Sequence, residues 1–335
     1  MRFNNNPKFE EKLEEINALF STMKDQRPYP PEMAKQFPLV LKLGSSRSGS
    51  TVFTQWVASQ RQFSYPSNFL SLFYAFPALG ARIYELLTNP DLKYNNEFQD
   101  LYREIDYKSV SGKTTGMKSP HEFWRFWLEY FDFPRIPSEQ EEWVKTADFH
   151  RFNRDVAEII QVFNKPFFLK AHNLNYYLEI FAKNVENAVF LHMYRNPIDV
   201  INSVINARMT RYGDINYFFG WRPREYDRLK YLDVYHQVAG QVYFNEKAIL
   251  DRRHVLGDRY LSFSYEDFCQ NPTEVFHQIV EKINQFSSTI LGKNYTGPDR
   301  FETSRCTDEE QLRKINAALD YWVNRHGPLE YSNGN

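Results

Sequence analysis

Basic, imidazole and hydroxyl side chains follow three short apolar segments of this 335-residue chain. The glycine- and serine-rich loop 44–51 follows the first segment. Lys170 ends the second segment, with His172 just beyond it, and Arg195 follows the third. Glycine-rich turns and guanidinium groups bind phosphate oxygens, and a histidine with a pKa near 6.5 exchanges protons at neutral pH. These residue types therefore predict a site for one anionic nucleotide and one proton transfer.

The loop 44–51 has the spacing of a Walker A phosphate loop, but Ser50 stands where that motif has lysine. An apolar run at 38–43 precedes it and a helical pattern at 51–60 follows, so backbone N–H groups at the helix start are predicted to hold an anion. The loop residues assigned to this binding are Arg47, Ser48, Gly49, Ser50 and Thr51. The missing lysine, and strand ends without an acidic residue, argue against a magnesium triphosphate. The alternative is a turn that binds no ligand.

Strands and helices alternate along the chain, which predicts an α/β fold with a central parallel sheet flanked by helices. The strands are expected at 38–43, 166–170, 188–194 and 259–265. The main helices are expected at 51–60, 69–88 with an interruption at Pro77, 121–131, 139–164, 174–184, from Pro197 onward, 223–252, 272–286 and 307–324. We predict a single domain over residues 1–335, with a helical insertion at about 61–165.

In an open parallel sheet, ligands bind outside the carboxyl ends of the strands. Lys170, His172 and Arg195 lie at such ends, so they converge on the loop if their strands neighbour the 38–43 strand. Ser203 lies eight residues after Arg195, about two helical turns, and shares a face with the helix start. The alternatives are an ion pair between Arg195 and Asp199 and a purely structural histidine.

Composition narrows the function classes. Lys plus Arg total 41 against 42 for Asp plus Glu, so nothing favours nucleic acid as a partner. Two cysteines, Cys269 and Cys306, cannot build a disulfide framework or a zinc site by themselves, and we predict no metal. We find no signal peptide and no apolar run near the roughly 20 residues of a membrane span, and therefore predict a cytoplasmic protein without a membrane partner.

Three motifs, in order, resemble the sulfotransferases that use 3′-phosphoadenosine 5′-phosphosulfate (PAPS). RSGST at 47–51 is similar to their 5′-phosphosulfate loop. LKAHNLNYYLEIF, leading to FLHMYRNPIDVINSV, is similar to their lysine–x–histidine run followed by R-N-P-x-D-V-x-x-S. FSYEDFCQNP at 263–272 is similar to a later Y-E-D-x-x-x-x-P element. The match implies the P-loop-like sulfotransferase fold and sulfuryl transfer from PAPS by in-line displacement.

The resemblance also implies residue roles. Residues 47–51 would hold the phosphosulfate, with Arg47 also counted among the catalytic residues. The 3′-phosphate would bind Arg195 and Ser203, and Tyr265 would approach the adenine. The general base would be His172, while Lys170 would act on the sulfuryl or bridging oxygen. No metal is required.

The chain also departs from the cytosolic members of this family. Arg47 stands where lysine is frequent, and Val52 stands where tryptophan is frequent. Their glycine-rich element near the C-terminus is absent; the segment 299–307 is a candidate replacement, and Arg305 is either a 3′-phosphate ligand or a surface arginine. Some relatives use a glutamate base, and His121 is a further alternative. The pattern suggests a divergent, bacterial, specialised-metabolism member.

The acceptor is predicted to be a small molecule, with oxygen and nitrogen attack both open and no prediction of oligomeric state. The chain is rich in aromatic residues, which either build the core or line an acceptor pocket; segments 67–76 and 216–226, the latter with Trp221, are the candidates. Two other functions remain alternatives. One is a P-loop kinase or nucleoside triphosphatase, and the other is a nucleotide-binding module without catalysis.

Overall fold

A four-stranded parallel sheet forms the centre of the protein. The computed structural model describes residues 6–22, 36–92, 109, 113–137, 143–185 and 187–331. The strands are β1 (Leu39–Leu43), β2 (Phe167–Lys170), β3 (Ala188–Tyr194) and β4 (Tyr260–Ser264). Their order across the sheet is β2-β1-β3-β4, and each neighbouring pair is parallel. The predicted α/β fold is confirmed.

Helices surround this sheet. The α-helices of the described residues are, in chain order, α1 (Pro7–Ser21), α2 (Ser50–Ser59), α3 (Pro77–Thr88), α4 (Trp124–Leu128), α5 (Phe149–Phe163), α6 (Leu178–Asn184), α7 (Pro197–Tyr212), α8 (Tyr226–Leu229), α9 (Val234–Leu250), α10 (Tyr265–Gln270), α11 (Pro272–Asn284) and α12 (Glu309–His326). Short 3₁₀ turns occur at Leu70–Phe73, Pro90–Leu92, His172–Leu174 and Arg253–Arg259.

The strands are apolar at almost every position because both faces of the sheet are covered. Alternate residues of β1 enter different core clusters: Leu39 and Leu41 pack on one side, and Val40 packs on the other. Since strand side chains alternate between faces, Lys42 shares the face of Val40. Lys42 is nevertheless fully buried, which makes it an exception in an otherwise apolar strand.

Aromatic rings build one side of the core. The ring centroids of Trp127 and Phe152 are 5.6 Å apart, and those of Trp143 and Tyr177 are 4.6 Å apart in a stacked pair. Trp127 and Phe152 lie in α4 and α5, Trp143 lies between these two helices, and Tyr177 immediately precedes α6. Much of the aromatic content therefore packs the protein interior. The described residues between α2 and β2 include α3, α4 and α5, and the single-domain assignment with an insertion at about 61–165 stays a prediction.

Several element boundaries differ from the sequence-based ones, for local reasons. The 69–88 segment is a 3₁₀ turn followed by a helix that begins at Pro77, because proline suits the first turn of a helix. The predicted 223–252 helix is two helices: the Asp233 side chain accepts hydrogen bonds from the N–H groups of Tyr235 and His236 and so caps a new helix. Much of 89–115 and residues 138–142 lie outside the described residues.

Cys269 is buried and Cys306 is partly buried, and both are free thiols. Within the described ranges, the structure contains no helix with the length and apolar character needed to cross a membrane.

Candidate functional site

The sheet order brings the predicted site residues to one edge. β1 lies between β2 and β3, so the loop after β1 is flanked by the ends of the strands that precede His172 and Arg195. Lys42 is in register with Lys170, and Leu43 with His192. β2 and β3 therefore both neighbour β1, which is the arrangement that the predicted convergence of Lys170, His172 and Arg195 on the loop required.

In the loop after β1, Gly49 has a backbone conformation that favours glycine. Gly49 has φ 86° and forms the N-cap of α2. A Cβ atom there would lie 2.2 Å from Cε2 of Tyr265, so a side chain would strike the tyrosine ring. Arg47 also has a positive φ, 69°. Ser48 Oγ donates to the Ser45 carbonyl at 2.9 Å, which helps to hold the loop curled at the start of α2.

Three arginines converge beside this loop. Arg47 Nε donates to Ser203 Oγ at 3.1 Å, and Arg195 Nη1 donates to the Arg47 carbonyl at 3.4 Å. Burial, followed by the charges of Arg211 and Arg195, lowers the pKa of Arg47. These groups line a cavity of about 290 Å³, which we call the arginine cavity. Its lining residues are Arg47, Arg195, Asp199, Asn202, Ser203, Asn206, Ala207, Thr210, Arg211, Ser304 and Arg305.

Arg195 is held from several sides yet keeps an unused donor. Its guanidinium lies 4.9 Å from the centre of the Tyr265 ring, and Nη2 donates to the carbonyl of Ser304. Its buried Nε has no hydrogen-bond partner in the described part of the chain. Asp199 does not pair with Arg195 there; its Oδ1 accepts from the N–H of Cys306 at 2.8 Å. Asp199 thus anchors the 299–307 segment, and that segment places Arg305 at the cavity wall.

Tyr265 lies beneath the loop. Its side chain is buried, at 7% exposure, and it opens α10 immediately after β4. Burial raises the pKa of its phenol, and the hydrogen bond with Cys269 adds to this effect. The ring supports Gly49 and Arg195, and contact between Tyr265 and adenine stays a prediction.

His172 and two lysines form a second cluster, which we call the base pocket (Lys42, Lys170 and His172). Nε2 of His172 lies 3.3 Å from Nζ of Lys42. Burial, assisted by the charges of Lys42 and Lys170, holds the pKa of His172 well below its usual value. The imidazole is therefore neutral at pH 7, the form that can accept a proton. Nζ of Lys170 lies 3.3 Å from Oε1 of Glu122.

The alternative bases lie next to this pocket. His121 Nδ1 accepts a hydrogen bond from the N–H of Phe123 at 2.9 Å, so one nitrogen of that ring already stabilises the turn before α4. The carboxylate of Glu122 is 68% exposed, and the Lys170 charge lowers its pKa. In the ranges that the structure describes, no group of three or more His, Cys, Asp or Glu side chains could hold a metal ion.

Sequence reasoning missed three residues at this edge of the sheet: Lys42, Arg211 and Glu246. Oε1 of Glu246 accepts from the N–H of Ser45 at 2.9 Å, and Oε2 lies 2.9 Å from Nε2 of His192. Burial alone would raise the pKa of Glu246, but hydrogen bonds from His192 and Ser45 hold it below its usual value. The sequence contains a signal for Lys42, because this residue is the one charge within the apolar segment 38–43. It contains no comparable signal for Glu246 or Arg211.

The 216–226 segment covers the loop. Nε2 of Gln241 donates to the carbonyls of Phe219 and Trp221 at 2.8 and 3.0 Å. A Cβ on Gly220 would lie 3.1 Å from Oγ of Ser46, so this segment touches the loop 44–51. The rings of Trp221 and Trp124 are 5.2 Å apart. In the other candidate segment, 67–76, the side chains of Leu70, Tyr74 and Phe76 are buried and belong to the interior.

Comparisons with known proteins give one family match. The model of a family described as "Sulfotransferase family" matches residues 38–285. No curated protein matches the sequence significantly.

Similar solved structures include the sulfotransferase STF9 from Mycobacterium avium, with TM-score 0.45 and 13% identity over 92% of this chain and 73% of that one. A sulfotransferase from Alicyclobacillus acidocaldarius has TM-score 0.39 and 13% identity over 86% of this chain and 93% of that one. The sulfotransferase domain of the Synechococcus PCC 7002 olefin synthase has TM-score 0.38 and 19% identity over 92% and 94%.

Proposed function

The chain belongs to the sulfotransferase family, and on that premise we propose that it transfers the sulfuryl group of PAPS to a hydroxyl or amine of a small molecule. The observation that carries the proposal is the arrangement of two cation-rich clusters around one glycine-serine loop. The arginine cavity lies beside Arg47 and Ser203, and the base pocket lies beside His172.

The arginine cavity suits the two anionic ends of such a donor. Arg47, Arg195 and Arg211 repel one another at this separation, and a bound anion would remove that repulsion. The unpartnered Nε of Arg195 offers a hydrogen bond that no described residue uses. Guanidinium groups bind phosphate through paired N–H donors. We assign the 3′-phosphate to Arg195, Ser203 and Arg305, and the phosphosulfate to residues 47–51.

The base pocket suits the proton transfer. A neutral His172 would accept the proton of the attacking hydroxyl or amine. The acceptor atom forms the new bond to sulfur as the bond from sulfur to the 5′-phosphate oxygen breaks, and the phosphate leaves with the electron pair. Lys170 lies beside His172 in the same pocket and would stabilise the negative charge that develops on the leaving oxygen. In this proposal, cationic side chains stabilise the negative charge that develops during the transfer.

The proposal can be tested by calorimetric titration with 3′-phosphoadenosine 5′-phosphate and, separately, with Mg-ATP. We expect micromolar binding of the bisphosphate and little binding of ATP. Arg195→Ala should weaken bisphosphate binding by roughly 2 kcal/mol or more, because it removes a buried guanidinium from the anion. Arg313→Ala is the matched control, because Arg313 is an exposed arginine of α12 outside the cavity.

Preference for Mg-ATP would contradict the proposal and favour phosphoryl transfer. Bisphosphate binding should be followed by incubation with PAPS and a panel of phenols, alcohols and amines, with the desulfated nucleotide as the measured product. Binding without turnover across the panel would favour a nucleotide-binding module.

A further inference from the structure

Lys42 is a buried basic residue whose role the proposed reaction leaves unexplained. Its side chain is fully buried on β1, one residue before the strand ends. Nζ donates to Oγ of Ser48 at 3.1 Å and lies 3.3 Å from Nε2 of His172. Lys42 therefore connects the phosphate-binding loop to the imidazole of His172.

No carboxylate neutralises this lysine in the described residues. The charged group opposite it in the sheet is Lys170, which carries the same sign. The acidic group whose charge influences Lys42 is Glu246, and its oxygens are already engaged by Ser45 and His192. A buried ammonium without an ion-pair partner is costly, so this position favours the neutral amine.

We propose that Lys42 and His172 act as one proton-accepting pair, in which the neutral amine of Lys42 accepts a hydrogen bond from Nε2–H of His172. Nδ1 of His172 is then the unprotonated nitrogen. No described residue forms a hydrogen bond with Nδ1, and in the proposal this nitrogen accepts the proton of the acceptor. The inference deepens the proposed function and rests on it, since it concerns the base of that reaction.

The proton balance of this pair is complete. The acceptor O–H or N–H gives its proton to Nδ1 of His172 as its heavy atom bonds to sulfur. Nε2–H passes its proton to Nζ of Lys42, so the imidazole ends neutral and the amine ends as an ammonium. Lys42 is a positioning residue here, because it acts through His172 and not on the acceptor itself.

The proton affinities of the two groups are consistent with this arrangement. Burial, aided by the Lys170 charge and opposed by Glu246, lowers the pKa of Lys42 to about 7. The pKa of His172 lies well below its usual value, first because of burial and then because of Lys42 and Lys170. Of the two, Lys42 is thus the better final holder of the proton.

The tautomer of His172 tests the pair without any acceptor. Protein labelled with ¹⁵N-histidine is titrated by NMR, and His172 is assigned by its absence in His172→Gln. Above the pKa of about 7 of Lys42 we expect Nε2–H and an unprotonated Nδ1 in the wild type. Lys42→Arg should reverse this to the Nδ1–H tautomer, because a guanidinium donates and cannot accept.

Lys42→Met is the second variant, in case arginine disrupts packing. It removes the acceptor for Nε2–H, so the fraction of the Nε2–H tautomer should fall. An Nδ1–H tautomer in the wild type that neither variant changes would overturn the proposal, because it would mean that Lys42 remains a charged donor. Calorimetry with 3′-phosphoadenosine 5′-phosphate on the same samples separates the two ideas. If the wild type does not bind the bisphosphate, the proposed function is wrong. The tautomer of His172 decides separately whether Lys42 and His172 form the proposed pair.

Discussion

The arginine cavity and the base pocket are both built from basic side chains, but burial has different effects on the charge of those side chains. Arginine side chains as a type keep their protons in proteins, so a bound anion would relieve the repulsion among Arg47, Arg195 and Arg211. Lys42 and His172 can lose their protons, and burial drives both toward the neutral form. On the proposed function, basic residue types at one sheet edge would serve two purposes: anion binding in the arginine cavity and proton transfer in the base pocket.

The largest expected effect comes from a substitution that changes the base pocket and leaves the arginine cavity intact. His172→Gln removes the proton-accepting imidazole and should lower the rate of sulfuryl transfer by roughly 10²- to 10⁴-fold. Affinity for 3′-phosphoadenosine 5′-phosphate should change little, because His172 is not among the residues that line the arginine cavity. Steady-state kinetics and calorimetry on one preparation measure both quantities. An equal loss of binding would show that the two clusters are not separable.

The next largest effect is expected from a substitution in the arginine cavity that leaves the base pocket intact. Arg211→Ala should weaken bisphosphate binding by about 1.5–3 kcal/mol, the range for a hydrogen bond to a charged group. Calorimetric titration gives the value. The His172 tautomer seen by NMR is the control and should not change, since burial, Lys42 and Lys170 set the His172 pKa. Unchanged binding would mean that Arg211 lines the cavity without contacting the bisphosphate.

A third prediction concerns the pH dependence of stability. Burial lowers the pKa of Lys42 from 10.5 to about 7, so between these values the unfolded chain holds a proton that the folded protein lacks. The free energy of unfolding should therefore rise with pH across this window, by at most about 1.4 kcal/mol per pH unit from this group. Below pH 7 both states are protonated, and this slope disappears.

Lys42→Met isolates that slope. Urea unfolding of the variant and the wild type at several pH values gives the difference between them, in which the other titrating groups largely cancel. We expect the variant to be the more stable protein at pH 7 and its advantage to shrink as pH rises. A constant difference would mean that Lys42 keeps its proton when folded.

The smallest expected effect tests which hydroxyl groups of the arginine cavity contribute to bisphosphate binding. Ser203→Ala removes the hydroxyl that accepts from Arg47 Nε at 3.1 Å. Bisphosphate affinity should fall by about 0.5–1.5 kcal/mol, the usual net value of one hydrogen bond. Thr210→Ala, which removes another hydroxyl from the cavity lining on the same helix, is the matched control. Equal losses in both variants would argue against a specific role for Ser203.

Much of the scaffold could be predicted because its signals are local. The 188–194 strand, the helix that begins at Pro197 and the loop 44–51 each depend on neighbouring residues, whose periodicity and backbone preferences are visible in the sequence. Local patterns were less informative where tertiary contacts intervene. The cap at Asp233 split a helix that the apolar pattern joined, and Tyr265 is packed beneath Gly49.

The sequence by itself determined which residue types stand at the strand ends, and those types are the basis for predicting that an anion binds and a proton is transferred there. The tertiary structure decided how those residues are paired. Lys42 meets His172 across 130 residues, and Arg47 meets Ser203 across 156. The physical reason is that burial and neighbouring charge set proton affinity, and both arise from the packing of segments distant in the chain.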